Sequence, residues 1–248
     1  MNQKNKCSVI IIAKNEAARL AECIRHVAWA DEVIVVDNGS TDDTIAIAKK
    51  EHAIVIESAQ NDFSGLREVG AKATTGNWLL YIDADELVTK ELRKEIEEKM
   101  NESIPAYYIP RTNFYLGAKW PTKDKMVRLM RKDAFVSWQG KLHEHAVIQG
   151  IIGDCKEPLI HNTHRTLSEM VEKTNEWSDI EADLRMNAHH PRMSWWRFLR
   201  VMMTAFNDSF FKQQGWRAGT AGWVESIYQA FSMFITYAKL WEKQQKET

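Results

Sequence analysis

The fold is decided by the stretch Trp78-Leu79-Leu80-Tyr81-Ile82-Asp83-Ala84-Asp85-Glu86, in which five apolar residues run directly into a group of acidic ones. A continuous apolar run of this length is typical of a strand that is covered on both faces in a parallel sheet. Asp83 and Asp85 then lie where the strand ends, at the edge where α/β sheets bind ligands. Two carboxylates in that place suit a hard divalent cation, which can neutralise a departing diphosphate.

Three similar runs precede this one, and segments with helical spacing of apolar residues separate them. The predicted strands are residues 7–12, 32–36, 53–57 and 78–82, and the predicted helices are residues 16–27, 41–50, 64–74 and 89–100. Side-chain oxygens at Thr41-Asp42-Asp43-Thr44 are an N-cap signature for the second helix. The alternation predicts an α/β fold with a Rossmann-like, mostly parallel twisted sheet and helices on both faces.

From residue 105 onward the sequence no longer alternates between predicted parallel strands and helices. Short strands at residues 107–110, 126–131, 146–152 and 156–160, separated by Gly and Pro turns, predict a mixed continuation of the same domain. From Ser168 onward the pattern is helical. We therefore expect a nucleotide-binding and catalytic domain over residues 1–165 and a C-terminal helical region over residues 166–248.

Composition narrows the class of protein. The formal net charge is −1, so no broad basic surface indicates nucleic acid as a partner. The three cysteines have no CxxC spacing, which suits a reducing compartment. The polar start of the chain does not resemble a signal peptide, and no apolar stretch reaches the length of a bilayer span. These features predict a cytoplasmic protein.

The second predicted strand ends in Asp37-Asn38-Gly39-Ser40-Thr41-Asp42. A carboxylate at a strand terminus can accept hydrogen bonds from a pyrimidine N–H or a ribose hydroxyl. In the alternative interpretation this is an ordinary βα turn, in which Asp37 and Asp42 only cap the next helix.

Three motifs taken together resemble family 2 glycosyltransferases, which have a GT-A fold and use nucleotide-sugar donors. The motifs are V-I-I-I-A-K-N-E at residues 9–16, V-D-N-G-S-T-D at 36–42 and Y-I-D-A-D-E-L at 81–87, and the resemblance covers residues 7–100. It implies that Asp37 contacts the base, that Asp83 lies on the ribose side, and that Asp85 coordinates the Mg²⁺ or Mn²⁺ that bridges the diphosphate. The donor-binding residues that it implies are Ala13, Asn15, Glu16, Asp37, Arg67, Asp83 and Ala84. For Arg67 the alternative is a surface ion pair with a helix neighbour such as Glu68 or with a nearby acid.

Inverting sugar transfer needs a base that removes the proton of the acceptor hydroxyl, and a carboxylate is the usual choice. The candidate is Glu144, within Trp138-Gln139-Gly140-Lys141-Leu142-His143-Glu144-His145. This stretch resembles the acceptor motif of the subgroup that builds the lipopolysaccharide inner core, the β-1,4-glucosyltransferases, although many family members have an Asp-containing motif here. The alternative is that residues 143–145 are surface positions of a strand. His161 is a second metal candidate by resemblance, with a core or capping histidine as the alternative.

The C-terminal region carries two apolar helical stripes on either side of a Gly-rich break at residues 215–222. The first comprises Trp195, Leu199, Met202, Phe206 and Phe210, and the second comprises Trp223, Ile227, Ala230, Phe234, Ala238 and Trp241. Basic residues, among them Arg192, Arg197 and Arg200, flank the first stripe. Such helices lie in a membrane interface, or else pack as core or dimer contacts. The first interpretation predicts a peripheral protein on the inner face of the cell membrane, in contact with it through residues 192–241.

The leading hypothesis is a metal-dependent inverting glycosyltransferase that moves a sugar, with glucose as the candidate, from a UDP-sugar to a lipopolysaccharide core or a similar glycolipid or saccharide acceptor. One alternative is a membrane-docked scaffold that has kept the fold and lost the chemistry. Another is a sugar-nucleotide pyrophosphorylase, which needs a Gly-rich, Arg-containing loop after the first strand. The chain has Ala13-Lys14-Asn15-Glu16 in that place, without a glycine.

Overall fold

The computed structural model describes residues 5–60, 62–140, 144–163 and 165–246. The chain divides into two compact units, one of residues 1–112 and 124–161 and the other of residues 113–123 and 162–248. The sequence pattern places a boundary after residue 165. It gives no sign that residues 113–123 group with the C-terminal helices.

Four parallel strands form the N-terminal half of the sheet in the first unit. They are β1 (Cys7–Ala13), β2 (Glu32–Asp37), β3 (Ile54–Glu57) and β4 (Trp78–Asp83). Their order across the sheet is β3-β2-β1-β4, and each neighbouring pair is parallel. The predicted bounds of these strands agree with the structure to within one residue, because an apolar run that is covered on both faces is visible in local sequence.

The remaining strands extend this sheet in mixed directions. They are β5 (Glu86–Leu87), β6 (Ala106–Tyr115), β8 (Asp124–Arg131), β11 (Ile152–Asp154) and β12 (Leu159–His161). Strand β8 pairs antiparallel with β4 and with β6, the order continues through β12 to β5, and β11 pairs parallel with β6. A separate antiparallel hairpin joins β9 (Phe135–Gln139) to β10 (His145–Ile148). The predicted α/β fold with a mostly parallel sheet and a mixed continuation is confirmed.

Three of the predicted strands had wrong bounds. The strand predicted at residues 107–110 extends over Ala106–Tyr115. Residues 146–152 form the end of β10 and the start of β11, because the chain turns at Gly150, whose φ of +114° favours glycine. The strand predicted at residues 156–160 begins at Leu159, just after Pro158.

Helices cover both faces of the sheet. They are α1 (Ala17–Val27), α2 (Thr44–Lys50), α3 (Phe63–Ala73) and α4 (Lys90–Lys99). Side chains alternate along β1, so Val9 and Ile11 pack with α1 and α4 while Ile10 packs with α3. At Gly70 of α3 an added Cβ would lie 2.4 Å from Cγ2 of Ile10, so the close approach of helix and sheet depends on this glycine.

The second unit is helical, apart from the short strand β7 (Ala118–Lys119), which pairs with the end of β6. Its helices are α5 (Leu167–Asn187), α6 (Trp195–Asn207) and α7 (Gly219–Lys246), with a π-helical turn at Asp208–Lys212 and a 3-10 turn at Gly215–Ala218. The Gly-rich break predicted at residues 215–222 is shorter in the structure, because α7 begins at Gly219 and includes Gly222. An added Cβ there would lie 1.8 Å from the carbonyl oxygen of Gly215. In the described part of the chain, no helix has both the length and the apolar content that crossing a bilayer requires.

Candidate active site

The carboxyl ends of three adjacent parallel strands bring the predicted donor residues to one edge of the sheet. Ala13 at the end of β1 is in register with Asp37 at the end of β2. On the other side of β1, Ile12 is in register with Asp83 at the end of β4. The Asp37 and Asp83 carboxylates therefore flank the end of β1, at the edge where α/β folds bind ligands.

The loops after β1 and β2 are joined by hydrogen bonds. The backbone N–H of Asn15 donates to Oγ of Ser40 at 2.9 Å, and the N–H of Thr41 donates to Oδ1 of Asn15 at 2.8 Å. The N–H of Glu16 donates to Oγ1 of Thr44 at 2.8 Å. Asn15 takes a positive φ of 56°, a conformation in which Asn is several-fold enriched. The predicted donor-binding residues Ala13, Asn15 and Glu16 therefore lie beside the turn that contains Asp37, and hydrogen bonds join the two loops.

Asp37 and Asp42 both bond within this structure. The buried Asp37 carboxylate accepts the N–H of Ser40 at 2.9 Å and also its hydroxyl. Asp42 accepts the N–H of Thr44 at 3.0 Å and that of Ala17 at 3.2 Å. Burial opposes ionisation of Asp42, but these hydrogen bonds outweigh it and lower its pKa. Asp37 and Asp42 therefore make local bonds of the kind that the alternative interpretation describes. The contact of Asp37 with the nucleotide base stays a prediction.

Arg67 joins the end of β4 to the predicted base. Its Nη2 donates to Oδ1 of Asp83 at 2.8 Å. Its Nε and Nη2 donate to Oε1 of Glu144 at 3.0 and 2.9 Å. The alternative of an ion pair with a nearby acid is therefore present in part, but these pairs are formed by a buried arginine and not at the surface.

Aromatic rings hold the Arg67 guanidinium in place. Its central carbon lies 4.9 Å from the ring centroid of Trp138 and 5.9 Å from that of Tyr81. These contacts are within the range of cation–π attraction. The buried Nη1 of Arg67 has no hydrogen-bond partner among the described residues. A buried donor without a partner is costly, so this atom is suited to bind an acceptor oxygen of a ligand.

The motif that contains Glu144 lies partly outside the described residues, which omit residues 141–143. Glu144 itself precedes β10 and is not part of the strand, so strand alternation does not set its direction. Its side chain is mostly buried against Arg67, and the alternative of a surface strand position is wrong for this residue. The hydroxyl of Ser64 donates to the carbonyl of Gly140, which ties the start of the loop to α3.

Sequence reasoning missed two buried members of this network, Arg128 and Glu86. Nη2 of Arg128 donates to Oδ2 of Asp83 at 2.5 Å and to Oε1 of Glu86 at 3.0 Å. Glu86 also accepts the N–H of Asp83 at 2.9 Å and Nη1 of Arg111 at 3.2 Å. The available signal was a charged residue at position 128, with apolar residues on both sides of it in the predicted strand 126–131.

The two arginines control the charge of Asp83. Burial opposes ionisation of this carboxyl, but coulombic attraction to Arg128 and Arg67 outweighs burial and holds its pKa well below the ordinary value. The same attraction, from Asp83 and Glu86, raises the pKa of Arg128 against the effect of burial. Asp83 is therefore already paired with positive charge inside the protein. This differs from the expectation that Asp83 and Asp85 together hold one cation.

Asp85 lies in a different environment, beside His161. Nε2 of His161 is 3.5 Å from Oδ1 of Asp85, and both side chains are mostly buried. Strand β12 brings them together, because its antiparallel pairing with β5 places His161 in register with Glu86. Ala84, between the two aspartates, is buried. In the described residues no group of three His, Cys, Asp or Glu side chains could hold a metal ion. A cation at Asp85 and His161 must take its other ligands from substrate and water.

Comparison with known proteins identifies the family. The sequence model of the family described as Glycosyl transferase family 2 matches residues 8–152. An uncharacterized glycosyltransferase of Rickettsia prowazekii (strain Madrid E) is 33% identical over 255 residues, covering 95% of this chain and 86% of that protein. The lipopolysaccharide core biosynthesis glycosyltransferase LpsC of Rhizobium meliloti (strain 1021) is 26% identical over 260 residues, covering 98% and 94%.

Among solved structures, the chain is similar to glucosyl-3-phosphoglycerate synthase of Mycobacterium tuberculosis. A crystal structure of that enzyme with Mn²⁺, UDP and glucosyl-3-phosphoglycerate aligns with a TM-score of 0.47 and 18% identity, over 67% of this chain and 75% of that one. Another, with phosphoglyceric acid, aligns with a TM-score of 0.38 and 24% identity, over 45% and 44%.

The family match includes the β1 loop, the Asp37 turn, the acidic end of β4 and the Glu144 loop. The relatives named above extend the similarity through the C-terminal helices. These findings indicate an enzyme of the glycosyltransferase class rather than a pyrophosphorylase. The chain belongs to glycosyl transferase family 2, as the motifs in its sequence predict.

Proposed function

We propose that this enzyme is a metal-dependent inverting glycosyltransferase that moves glucose from UDP-glucose to a hydroxyl of a lipopolysaccharide core acceptor. The observation that carries the proposal is the position of Arg67, which binds Asp83 on the donor side and Glu144 on the acceptor side. One guanidinium thus sets the distance between the two carboxylates that the reaction needs. Similarity over nearly the whole chain to a lipopolysaccharide core biosynthesis enzyme supports the acceptor class.

In this proposal Glu144 is the base. Among the described residues, both of its hydrogen bonds from Arg67 go to Oε1. We therefore assign proton uptake from the acceptor hydroxyl to Oε2. The acceptor oxygen attacks the anomeric carbon as its proton passes to Oε2, and the bond to the UDP oxygen breaks on the opposite side. A base that two hydrogen bonds already hold in place loses little conformational entropy in the transition state.

The donor would bind at the ends of β1, β2 and β4. Asp83, kept ionised by two arginines, is suited to accept a ribose hydroxyl, and its side chain is about a third exposed. The buried Nη1 of Arg67 is suited to donate to an oxygen of the nucleotide. Asp37 would accept the uracil N–H, in exchange for a bond that it now makes to Ser40.

Asp85 and His161 fit a divalent cation. One carboxylate and one imidazole within 3.5 Å of each other form a small donor set, and Mg²⁺ and Mn²⁺ commonly take the rest of their ligands from phosphates and water. When bound, such a cation would neutralise the charge that develops on the departing diphosphate.

The C-terminal unit supports a location at the inner, cytoplasmic face of the cell membrane. On α6 the side chains of Trp195 and Met203 are 76% and 71% exposed, and Leu199 is also exposed. The Arg197 guanidinium lies 4.8 Å from the ring of Trp196, so basic and aromatic groups alternate on this surface. Amphipathic helices with this composition bind the interface of anionic membranes. We propose that residues 192–241 make this contact and that the acceptor is a glycolipid.

Glu144→Gln tests the reaction most directly. The variant should bind UDP like the wild type and release UDP at least about a hundredfold more slowly when core acceptor is present, since it has lost its base. Glu157→Gln, an exposed position in the same unit, is the matched control and should transfer normally. Transfer by Glu144→Gln at a near wild-type rate would assign the base to another residue. If the wild type neither transfers nor hydrolyses UDP-glucose, with Mn²⁺ or with EDTA, the inactive scaffold is the better description.

A further inference from the structure

The second unit contains a cavity of about 690 Å³. Its walls come from the segment 113–123, from α6, from the π-helical turn and from α7. The residues that matter for its chemistry are Tyr115, Trp120, Asp208, Gln213, Glu225 and Gln229. This volume is in the range of sites that bind small molecules, which are commonly between about 300 and 1,000 Å³.

The helix pair α6 and α7 presents this cavity on one face and its exposed apolar residues on another. Residues three or four apart share a helix face. The cavity residues of α6 and α7 follow that spacing: Arg200 and Thr204, then Glu225, Gln229, Met233 and Tyr237. The exposed apolar residues follow it in a different register: Leu199 and Met203, then Trp223, Ile227, Phe231 and Phe234. The cavity is therefore distinct from the surface that we propose for the membrane.

Two aromatic rings form part of the wall. The rings of Tyr115 and Trp120 meet edge to face, with centroids 4.8 Å apart. The indole Nε1–H donates to Oε1 of Gln213 at 3.1 Å, which fixes both side chains. A sugar ring has an apolar face of C–H groups and a rim of hydroxyls. Rings with a polar edge, such as these, match that combination.

Glu225 supplies an unusual polar group. It lies in the second turn of α7 and is only 1% exposed, and burial of a carboxylate is costly unless it is hydrogen-bonded. Nε2 of Gln229, one turn later, donates to its Oε1 at 2.6 Å. The buried carboxylate thus orients the amide of Gln229, which lines the cavity and is partly exposed. An amide both donates and accepts, as a sugar hydroxyl does, so Gln229 suits the hydroxyls of a sugar ring.

The charges of the lining argue against an anionic ligand. Glu225 and Asp208 are negative, and Arg200 is the positive residue among the lining residues. Lys212 also pairs with Asp208 at 2.6 Å, so the charges around the cavity balance and offer a phosphate no net positive charge. A metal ion is not indicated either, because no group of three His, Cys, Asp or Glu side chains suited to a metal occurs in the described ranges. A neutral polyhydroxyl ligand satisfies both the polar and the aromatic parts of the wall.

We propose that this cavity binds neutral sugar residues of the acceptor oligosaccharide. Tyr115, supported by the buried Trp120, contacts a ring face, and Gln229, oriented by the buried Glu225, holds its hydroxyls. That the bound carbohydrate belongs to the acceptor rests on the proposed function. The presence of a saccharide site does not, because binding is measurable without donor and without transfer.

The test measures binding of core oligosaccharide, freed from lipopolysaccharide by deacylation, to the full chain without UDP-sugar. Saturation-transfer NMR and calorimetry detect the binding. Glu225→Gln removes the charged acceptor that orients Gln229 and keeps its size, and we expect binding about tenfold weaker, because bonds to charged groups are the stronger ones. Glu242→Gln, an exposed position on the same helix, is the matched control and should bind like the wild type. In steady-state transfer, Glu225→Gln should raise the acceptor KM more than it lowers kcat.

Trp120→Phe is the second variant, in case Glu225→Gln does not fold by circular dichroism. It keeps an aromatic ring and loses the bond to Gln213, and it should also weaken binding. The inference is overturned if the wild type does not bind the oligosaccharide, or if a folded variant binds it as tightly as the wild type. Transfer from UDP-glucose to core acceptor by the wild type is measured separately. Absent transfer with intact oligosaccharide binding would refute the proposed function and leave the cavity assignment standing. Transfer without oligosaccharide binding at this cavity would do the opposite.

Discussion

Arg128→Met removes a positive charge from a fully buried position and leaves an unbranched side chain in its place. In the wild type this guanidinium lies between the carboxylates of Asp83 and Glu86, at 2.5 and 3.0 Å. Without it the two carboxylates face each other. Asp83 keeps its bond from Arg67, and Glu86 keeps its bond from Arg111.

The expected loss of stability follows from this geometry. Removal of one partner from a buried ion pair costs about 3–5 kcal/mol, because the other charge stays buried without compensation. Since one cation remains on each carboxylate, we expect the lower end of that range, about 3 kcal/mol in the free energy of unfolding. Arg131→Met, on the same strand, is the matched control. Its partner Asp133 is exposed, so the loss there should be at most about 1 kcal/mol.

The effect should depend on pH. The folded-state pKa of Asp83 is lowered, so its contribution to stability is present above the unfolded-state pKa, about 3.9, and disappears as pH falls through the folded-state value. Without Arg128 this contribution is smaller. The gap in the free energy of unfolding between wild type and variant should therefore be widest at neutral pH and should narrow below about pH 4.

Urea unfolding of the wild type and both variants, followed by circular dichroism at pH 7 and at about pH 3, measures this gap. The reasoning is refuted if Arg128→Met loses no more stability than Arg131→Met at pH 7. A gap of equal size at both pH values would show that Asp83 is not the group responsible.

Two further predictions concern the cation and the membrane. Asp85→Ala should abolish the increase in UDP affinity that Mn²⁺ gives the wild type in calorimetry, because His161 alone is a poor site for a hard cation; unchanged affinity with Mn²⁺ would exclude Asp85 from the metal site. Trp195→Ala combined with Trp196→Ala should weaken sedimentation with anionic liposomes at least about tenfold, since both rings are exposed on α6. Equal sedimentation of this variant and the wild type would mean that the surface has another partner.

The parallel half of the sheet was predictable from local sequence, and its partners across the sheet were not. Strands β1, β2 and β4 are apolar runs whose residues are mostly buried, and β3 at the edge of the sheet is an apolar run that is partly exposed. By contrast, β6 continues through Pro110 to Tyr115 and includes polar residues that no strand pattern indicates. Its pairing with β8, with a register shift after Tyr107, is a long-range property that periodicity does not encode.

The candidate site, too, could be predicted only in part from local sequence. Asp83 and Asp85 look equivalent in sequence, two residues apart at the end of one strand. The structure separates them, because Arg128 reaches Asp83 from a strand 45 residues away, while His161 reaches Asp85 from another. Which carboxylate is neutralised by the protein, and which is left to bind a cation, depends on those distant residues. The family resemblance supplied Asp85 as the metal ligand, and spacing alone did not.

The charge balance of the network gives a physical reason to expect metal dependence. Glu144, Asp83 and Glu86 alternate with Arg67, Arg128 and Arg111, and Arg111 also pairs with Asp124, so four carboxylates face three guanidiniums. This network is net negative, and its arginines have no net positive charge to offer to an arriving diphosphate. Asp85 adds a further negative charge at the same edge of the sheet. We therefore propose that a nucleotide diphosphate binds there together with a cation, which Asp85 and His161 would help to hold.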